Sequence, residues 1–372
     1  MNNIQTWLRV LHEKQGSDLF VTVGLPPQIK VHGRLHALGE RPLTADDTRE
    51  IIAGIMTSAQ REEFSRTREC QFAIAIDDDA RFRVSAFLQQ HRPGIVCRRI
   101  ETRIPSFKEL DLPQTLEDLS LAKRGIIILV GATGTGKSTT LAAMMGYRNE
   151  HMTGHIITIE DPIEYVHQHG RSIITQREVG IDTESYEVAL RNTLRQAPDV
   201  ILIGEVRARE TMEHAITFAE TGHLCLTTLH ANNANQALDR ILHFFPEDQR
   251  DQVLLDLSFN LRGMIAQQLI PSIDGKRRHV ALEIMLNTPL ISEKIRNGLV
   301  HEIKPIMKDS THHGMITFDQ SLIRMYQEGQ ISYKDALRHA DSPNEVRLGI
   351  KLARGGPIDT GTLESAGVLD GD

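Results

Sequence analysis

The 372-residue chain is 40% hydrophobic and 24% charged, with 49 acidic against 42 basic residues and a formal net charge of -7. That length accommodates two domains with separate cores, and the acidic balance gives no reason to expect a polyanion as the main partner. Cys70, Cys97 and Cys225 are odd in number and widely spaced, which excludes a disulfide framework or a zinc cluster and predicts buried free thiols.

The first residues lack the basic and then apolar pattern of a signal peptide. The longest apolar run, 126–130, is far too short to span a bilayer, so the sequence predicts a cytoplasmic protein that reaches a membrane only through partners. Residues 18–23 and 28–31 read as the strands of a hairpin, punctuated by Gly24, Pro26, Pro27 and Gly33. Thr44 is placed to cap a helix reaching about Met56, with Asp46 and Asp47 in its first turn and Ile51, Ile52, Ile55 and Met56 as its apolar side. A second helix over 61–68 and strands over 71–76, 81–88 and 94–100 complete a small α+β domain, 1–104. Charged, proline-marked sequence at 105–120 reads as a linker.

From Gly125 the pattern changes. Strand runs at 126–130, 155–159, 200–203 and 224–228 alternate with helical runs at 137–148, 186–195 and 209–221, the mark of a doubly wound parallel sheet. After Asn232 the sequence reads as helical apart from an apolar run at 280–285, which gives an α/β domain over 121–345 with a helical C-terminal part. A C-terminal tail, 346–372, closes the chain; from Arg354 it lacks periodicity and is expected to be disordered.

Each strand end of the second domain delivers a polar motif. Gly131, Ala132, Thr133, Gly134, Thr135, Gly136, Lys137 and Ser138, followed by Thr139, match G-x-x-x-x-G-K-[ST] between a strand run and a helical run, which predicts a phosphate-binding loop. Glycines let the backbone curl so that several N–H groups converge on a phosphate, and the next helix adds the positive end of its dipole. Lys137 is expected on the β- and γ-phosphates of ATP and Ser138 on Mg²⁺. Glu205, ending the strand pattern Val200, Ile201, Leu202, Ile203, Gly204, fits a metal-ordering carboxylate. Glu160, Asp161, Pro162, Ile163 and Glu164 form an acidic cluster after another strand. Glu164 is the preferred water-activating base, with Glu160 as the alternative. His223 and His230 bracket a further strand. His230 falls at its C-terminal end, where it could sense the γ-phosphate, and His223 at the opposite end or a neighbouring interface. In the first domain Arg81 and Arg83 alternate with Phe82, Val84 and Ala86, so the two guanidinium groups share a face. With Arg98 and Arg99 nearby, they are candidates to reach an adjacent subunit's nucleotide.

The combination resembles the secretion ATPase superfamily, and within it the type IV pilus retraction ATPases, PilT and PilU. The carrying residues are Gly16-Ser-Asp-Leu19, Gly24-Leu-Pro-Pro27, Arg81-Phe-Arg-Val84, the phosphate loop, Glu160 to Glu164, Thr175-Gln-Arg-Glu-Val179, Glu205, and Glu220-Thr-Gly-His223 through His230. The resemblance implies a PAS-like first domain, a RecA-like ATPase domain, a hexameric ring, and ATP and Mg²⁺ as ligands. It implies nucleotide contacts for Arg81, Arg83 and Arg98, and assigns His223 and His230 to the family's histidine segment. Where PilT-like chains read Ala-Ile-Arg-Asn-Leu-Ile-Arg-Glu, this chain has Leu290 to Asn297 of different sequence, which resembles the PilU-like branch. The implied partners are a PilT-like ATPase and an inner-membrane pilus platform protein, with no direct nucleic acid. A RecA-like nucleic-acid translocase and a nucleotide-binding regulatory scaffold are the competing readings. DNA-stimulated turnover would mark the first, and binding without turnover the second.

Overall fold

The computed structural model describes residues 3–77 and 80–353. The disordered tail expected from 354 lies outside the described residues. The chain gathers into two compact units. One comprises the chain through Glu109, Ser138–Val206 and His223–Cys225; the other comprises Leu110–Lys137, Arg207–Gly222 and the chain from Leu226.

The first unit begins with α1 (Asn3–Glu13), β1 (Asp18–Val21), β2 (Gln28–Val31), β3 (Arg34–Ala37), α2 (Ala45–Ile55), α3 (Ser58–Thr67), β4 (Glu69–Asp77), β5 (Ala80–Gln89) and β6 (Arg92–Ile100). The strands form an antiparallel sheet in the order β3-β2-β1-β6-β5-β4. The expected hairpin is β1–β2, with Asp18 opposite Lys30. Thr44 caps α2 as expected: its hydroxyl accepts the Asp47 N–H at 3.1 Å, while Asp47 returns a bond to the Thr44 N–H at 2.8 Å. Alternation along β5 buries Phe82, Val84 and Ala86 and leaves Arg81 and Arg83 half-buried on the other face. The strip Ile4, Leu8 and Leu11 of α1, at helical spacing, is buried in the same core as Phe82 and Val84. Neither α1 nor β3 was expected from the sequence.

Beyond residue 110 the elements are α4 (Gln114–Ser120), β7 (Gly125–Val130), α5 (Lys137–His151), β8 (Gly154–Glu160), β9 (Ser172–Glu178), α6 (Tyr186–Thr193), β10 (Val200–Ile203), α7 (Arg209–Glu220) and β11 (Leu224–Leu229). They continue with α8 (Ala234–His243), α9 (Arg250–Asn260), β12 (Leu261–Pro271), β13 (Arg278–Leu286), α10 (Pro289–Arg296), α11 (Ile303–Asp309), α12 (Phe318–Gln327), α13 (Tyr333–Arg338) and α14 (Pro343–Ala353). α4 occupies the end of the stretch expected as a linker. In the first unit β10 and β9 flank β8, both parallel to it, with Ile203 opposite Ile159 and Glu178 opposite Glu160. In the second, β12 lies between β7, parallel, and β13, antiparallel. Two strands depart from expectation: β9 was not anticipated, and β12 falls where the sequence reads as helical. β12 is almost wholly buried, so neither face is marked by polar alternation, and its Leu, Met, Ala and Gln residues are good helix formers. All three cysteines are buried and free, and burial pushes the Cys97 and Cys225 thiols up to about 12. Among the described residues no helix is long and apolar enough to cross a membrane.

Glu283, on β13, is 2% exposed, and its Oε1 accepts the Ala234 N–H at 2.8 Å in the first turn of α8. Burial lifts the carboxyl to about 7, against the opposing effects of the Ala234 N–H and the Lys304 ammonium; Asp341 adds to the rise. A carboxyl raised on folding contributes stability that is full below its unfolded value and is lost as pH climbs through about 7. Glu283→Gln is therefore expected to flatten the fall in melting temperature between pH 5 and pH 8. The gain over the parent at the alkaline end should be on the order of 1–3 kcal/mol, read by thermal denaturation across that range.

Candidate nucleotide site

In the second unit the loop after β7 has the curvature the sequence predicts, and two of its glycines are sterically required. Gly131 (φ +156) has no room for a Cβ, which would stand 2.6 Å from Thr135 Oγ1 and 2.8 Å from the Gln267 carbonyl. Gly136 (φ +88) would place one 2.7 Å from Gln267 Nε2. Gln267, on β12 and 1% exposed, donates from Nε2 to the Thr135 carbonyl at 2.8 Å, so a buried side chain braces the loop. Lys137 is buried, and its ammonium donates to the Gly131 and Ala132 carbonyls at 2.7 and 2.8 Å. Its flexible stem is thereby folded back along the loop. The Gly131 N–H donates to the carbonyl of Leu229, the last residue of β11, so the backbone just before His230 meets the start of the loop. His230 itself is half-buried.

The first unit assembles the acidic side. Glu178, Glu160 and Glu205 sit at or just beyond the C-terminal ends of three neighbouring parallel strands, β9, β8 and β10. Gly204, before Glu205, donates its N–H to the Ile159 carbonyl at 2.8 Å and keeps the β10 end level with the end of β8. Glu160 is the constrained carboxylate: its Oε1 accepts from Thr158 Oγ1 at 2.6 Å and from Gln176 Nε2 at 3.3 Å. Burial pushes its carboxyl up to about 7, and the neighbouring Glu164 and Glu178 charges add to the rise. Glu164 differs in being exposed. Its chain neighbours are fixed. The Tyr165 hydroxyl hydrogen-bonds Thr139 Oγ1 at 2.9 Å in the first turn of α5, and the Tyr165 carbonyl accepts from Gln176 Nε2 at 2.9 Å. Gln176 also accepts the His167 N–H at 2.7 Å through Oε1, while burial lowers His167 to about 4 and so keeps the ring neutral.

His223 lies elsewhere. It precedes β11, and the next residue, Leu224, donates to the carbonyl of Asp199 just before β10, so His223 is at the strand end opposite Glu205. Of the arginines, Arg83 and Arg98 are register partners on β5 and β6. Arg98 is exposed and its Nε donates to Asp18 at 2.9 Å. Arg83 pairs with buried Glu178, Nε to Oε1 at 3.3 Å. Arg99 stands opposite Phe82 and bonds the Gly16 carbonyl and Glu101, so it does not join Arg81 and Arg83.

Sequence reasoning did not single out Gln267, Gln176, Glu178 or Tyr165. For Gln176 and Glu178 a signal existed, since polar residues two apart on a strand share a face. For Gln267 the signal was a glutamine inside an apolar run. The cradle left by Gly131 and Gly136 in the second unit suits a phosphate chain. Ser138 and Glu205, in the first unit, are hard oxygen donors of the kind a divalent cation takes.

Comparison with known proteins places these features. The model of the Type II/IV secretion system protein family matches residues 11–329. The type IV pilus ATPase PilU of Pseudomonas aeruginosa is 62% identical over 345 residues, covering 93% of this chain and 90% of that protein. The type IV pilus retraction ATPase PilT of the same organism is 40% identical over 339 residues, covering 91% and 98%. A crystal structure of the pilus retraction motor PilT with bound ADP superposes with a TM-score of 0.87 at 37% identity, covering 93% of this chain and 99% of that one. The chain belongs to the Type II/IV secretion system protein family.

Proposed function

We propose that this chain is an ATP-hydrolysing motor subunit of the type IV pilus machinery that acts in, or assists, pilus retraction and twitching motility. The observation that carries the reading is the braced loop: Gly131 and Gly136 packed against Gln267, with buried Lys137 behind them, on a chain 62% identical to PilU. In this reading residues 1–104 form the PAS-like domain and 121–345 the RecA-like domain. Subunits assemble as a hexameric ring in the cytoplasm, beside a PilT-like ATPase and an inner-membrane platform protein.

The amides of Gly134, Thr135, Gly136 and Lys137 bind the β-phosphate, and the Lys137 ammonium follows charge onto the γ-phosphate as the bond to the leaving group lengthens. Ser138 and Glu205, the latter through water, would hold Mg²⁺, which supplies charge neutralisation between the β- and γ-phosphates. Glu164 accepts the proton of the attacking water, and His230 reads the γ-phosphate from the end of β11. Glu160 is bonded to Thr158 and Gln176, which supports exposed Glu164 over Glu160 as the base. Arg81 and Arg98 face a neighbouring subunit's nucleotide.

Gln267→Ala leaves the Thr135 carbonyl without its donor and frees the loop. It is expected to weaken binding of a fluorescent ATP analogue about tenfold, a loss typical of one buried hydrogen bond. Deletion of the gene tests the wider function: surface pili that persist but fail to retract support it, and loss of the pili themselves contradicts it. Phosphate release measured alone and with the PilT-like ATPase distinguishes an independent motor from an assisting one.

A further inference from the structure

Ile163, immediately before Glu164, has both of its backbone groups held by one ion pair. Its N–H donates to Glu178 Oε2 at 3.1 Å, and its carbonyl accepts from Arg83 Nη2 at 3.3 Å. The same Arg83 reaches Glu178 twice, Nε to Oε1 at 3.3 Å and Nη2 to Oε2 at 3.4 Å. The pair is shielded from solvent, with side-chain exposures of 18% for Arg83 and 8% for Glu178, so it is screened far less than a surface pair. Both partners are anchored. Arg83 lies on β5 between fully buried Phe82 and Val84, and the backbone N–H of Glu178 donates to Asp182 Oδ2 at 2.9 Å while its carbonyl accepts from Asp182 N–H at 2.8 Å. On the far side of Glu164 the chain is fixed again, by Tyr165 on Thr139 and by the Val166 N–H on the Glu101 carbonyl at 3.2 Å.

We infer that Arg83 and Glu178 are positioning residues that clamp the Ile163 peptide and so set the direction of the Glu164 carboxylate, making the N-terminal sheet part of the subunit's own hydrolytic site. The inference rests on the reading of Glu164 as the water-activating base. A planar guanidinium is required because one group must serve a carboxylate and a carbonyl at fixed angles, which a lysine ammonium cannot do. Displacing a reacting group by about 1 Å costs on the order of 100-fold in rate, so the clamp should act on turnover and not on nucleotide affinity.

The test uses the full chain in four variants: Arg83→Lys, which keeps the buried charge, Glu178→Gln, which keeps an acceptor for the Ile163 N–H, Glu164→Gln, and the Arg83→Lys/Glu164→Gln double variant. Phosphate release gives kcat, titration with a fluorescent ATP analogue gives affinity, and circular dichroism confirms that each variant folds. Arg83→Lys and Glu178→Gln are expected to lower kcat about 10- to 100-fold with affinity within about twofold, and Arg83→Lys should add no loss on top of Glu164→Gln. Losses that multiply in the double variant, or an affinity loss matching the loss of turnover, would show Arg83 acting on the nucleotide directly and overturn the inference. Unchanged turnover in both Arg83→Lys and Glu178→Gln overturns it too. Undiminished turnover in Glu164→Gln alone is a different result, because it removes the base assignment on which the inference stands.

Discussion

Lys137→Ala is expected to lower kcat/KM for ATP by about 10²- to 10³-fold or more. The ammonium is buried and held beside the Gly131 and Ala132 carbonyls at the start of the loop. Truncation removes the charge that follows the phosphoryl group through the transition state and loosens the loop that binds it. Steady-state phosphate release, with a thermal melt of the same sample, checks the outcome. Turnover within about threefold of the parent would reject the loop as the hydrolytic site.

Glu164→Gln is expected to reduce kcat by about 10²- to 10⁴-fold while leaving nucleotide affinity nearly unchanged, because an amide cannot accept the proton of the attacking water. Glu160→Gln should cost much less: an amide can still accept from Thr158, and Glu160 is occupied by that bond and by Gln176. A pH–rate profile separates the two carboxylates. With Glu160 raised to about 7 by burial, its service as the base would make the rate climb with pH through that value, and the limb would vanish in Glu160→Gln. With Glu164 as the base, Glu160→Gln is expected to leave the profile in place.

Much of this was legible because the chemistry is local in sequence. The loop from Gly131 to Ser138 announces itself by spacing, the Thr44 cap by its Asp47 partner, and the two faces of β5 by strict alternation. What was not legible depends on contacts across the sheet. β12 has too little polar alternation to mark a strand and falls where the sequence reads as helical, so spacing alone does not set Gln267 beside the loop; the pairing of Ala266 with Val130 brings it level with Gly131. Glu178 stood in a recognisable motif, yet its meaning lies 95 positions away in Arg83. The strip Ile4, Leu8 and Leu11 has helical spacing, but polar residues on either side, Asn2-Asn3 and His12 to Gln15, mask so short an apolar face in the sequence.

The most direct measurement is a structure of the protein with Mg²⁺ and a non-hydrolysable ATP analogue. The β-phosphate is expected to be ringed by the amides from Gly134 to Lys137, with Glu164 one water molecule away from the γ-phosphate. Phosphates bound away from that loop, or a γ-phosphate attended by Glu160 with Glu164 turned out to solvent, would contradict it.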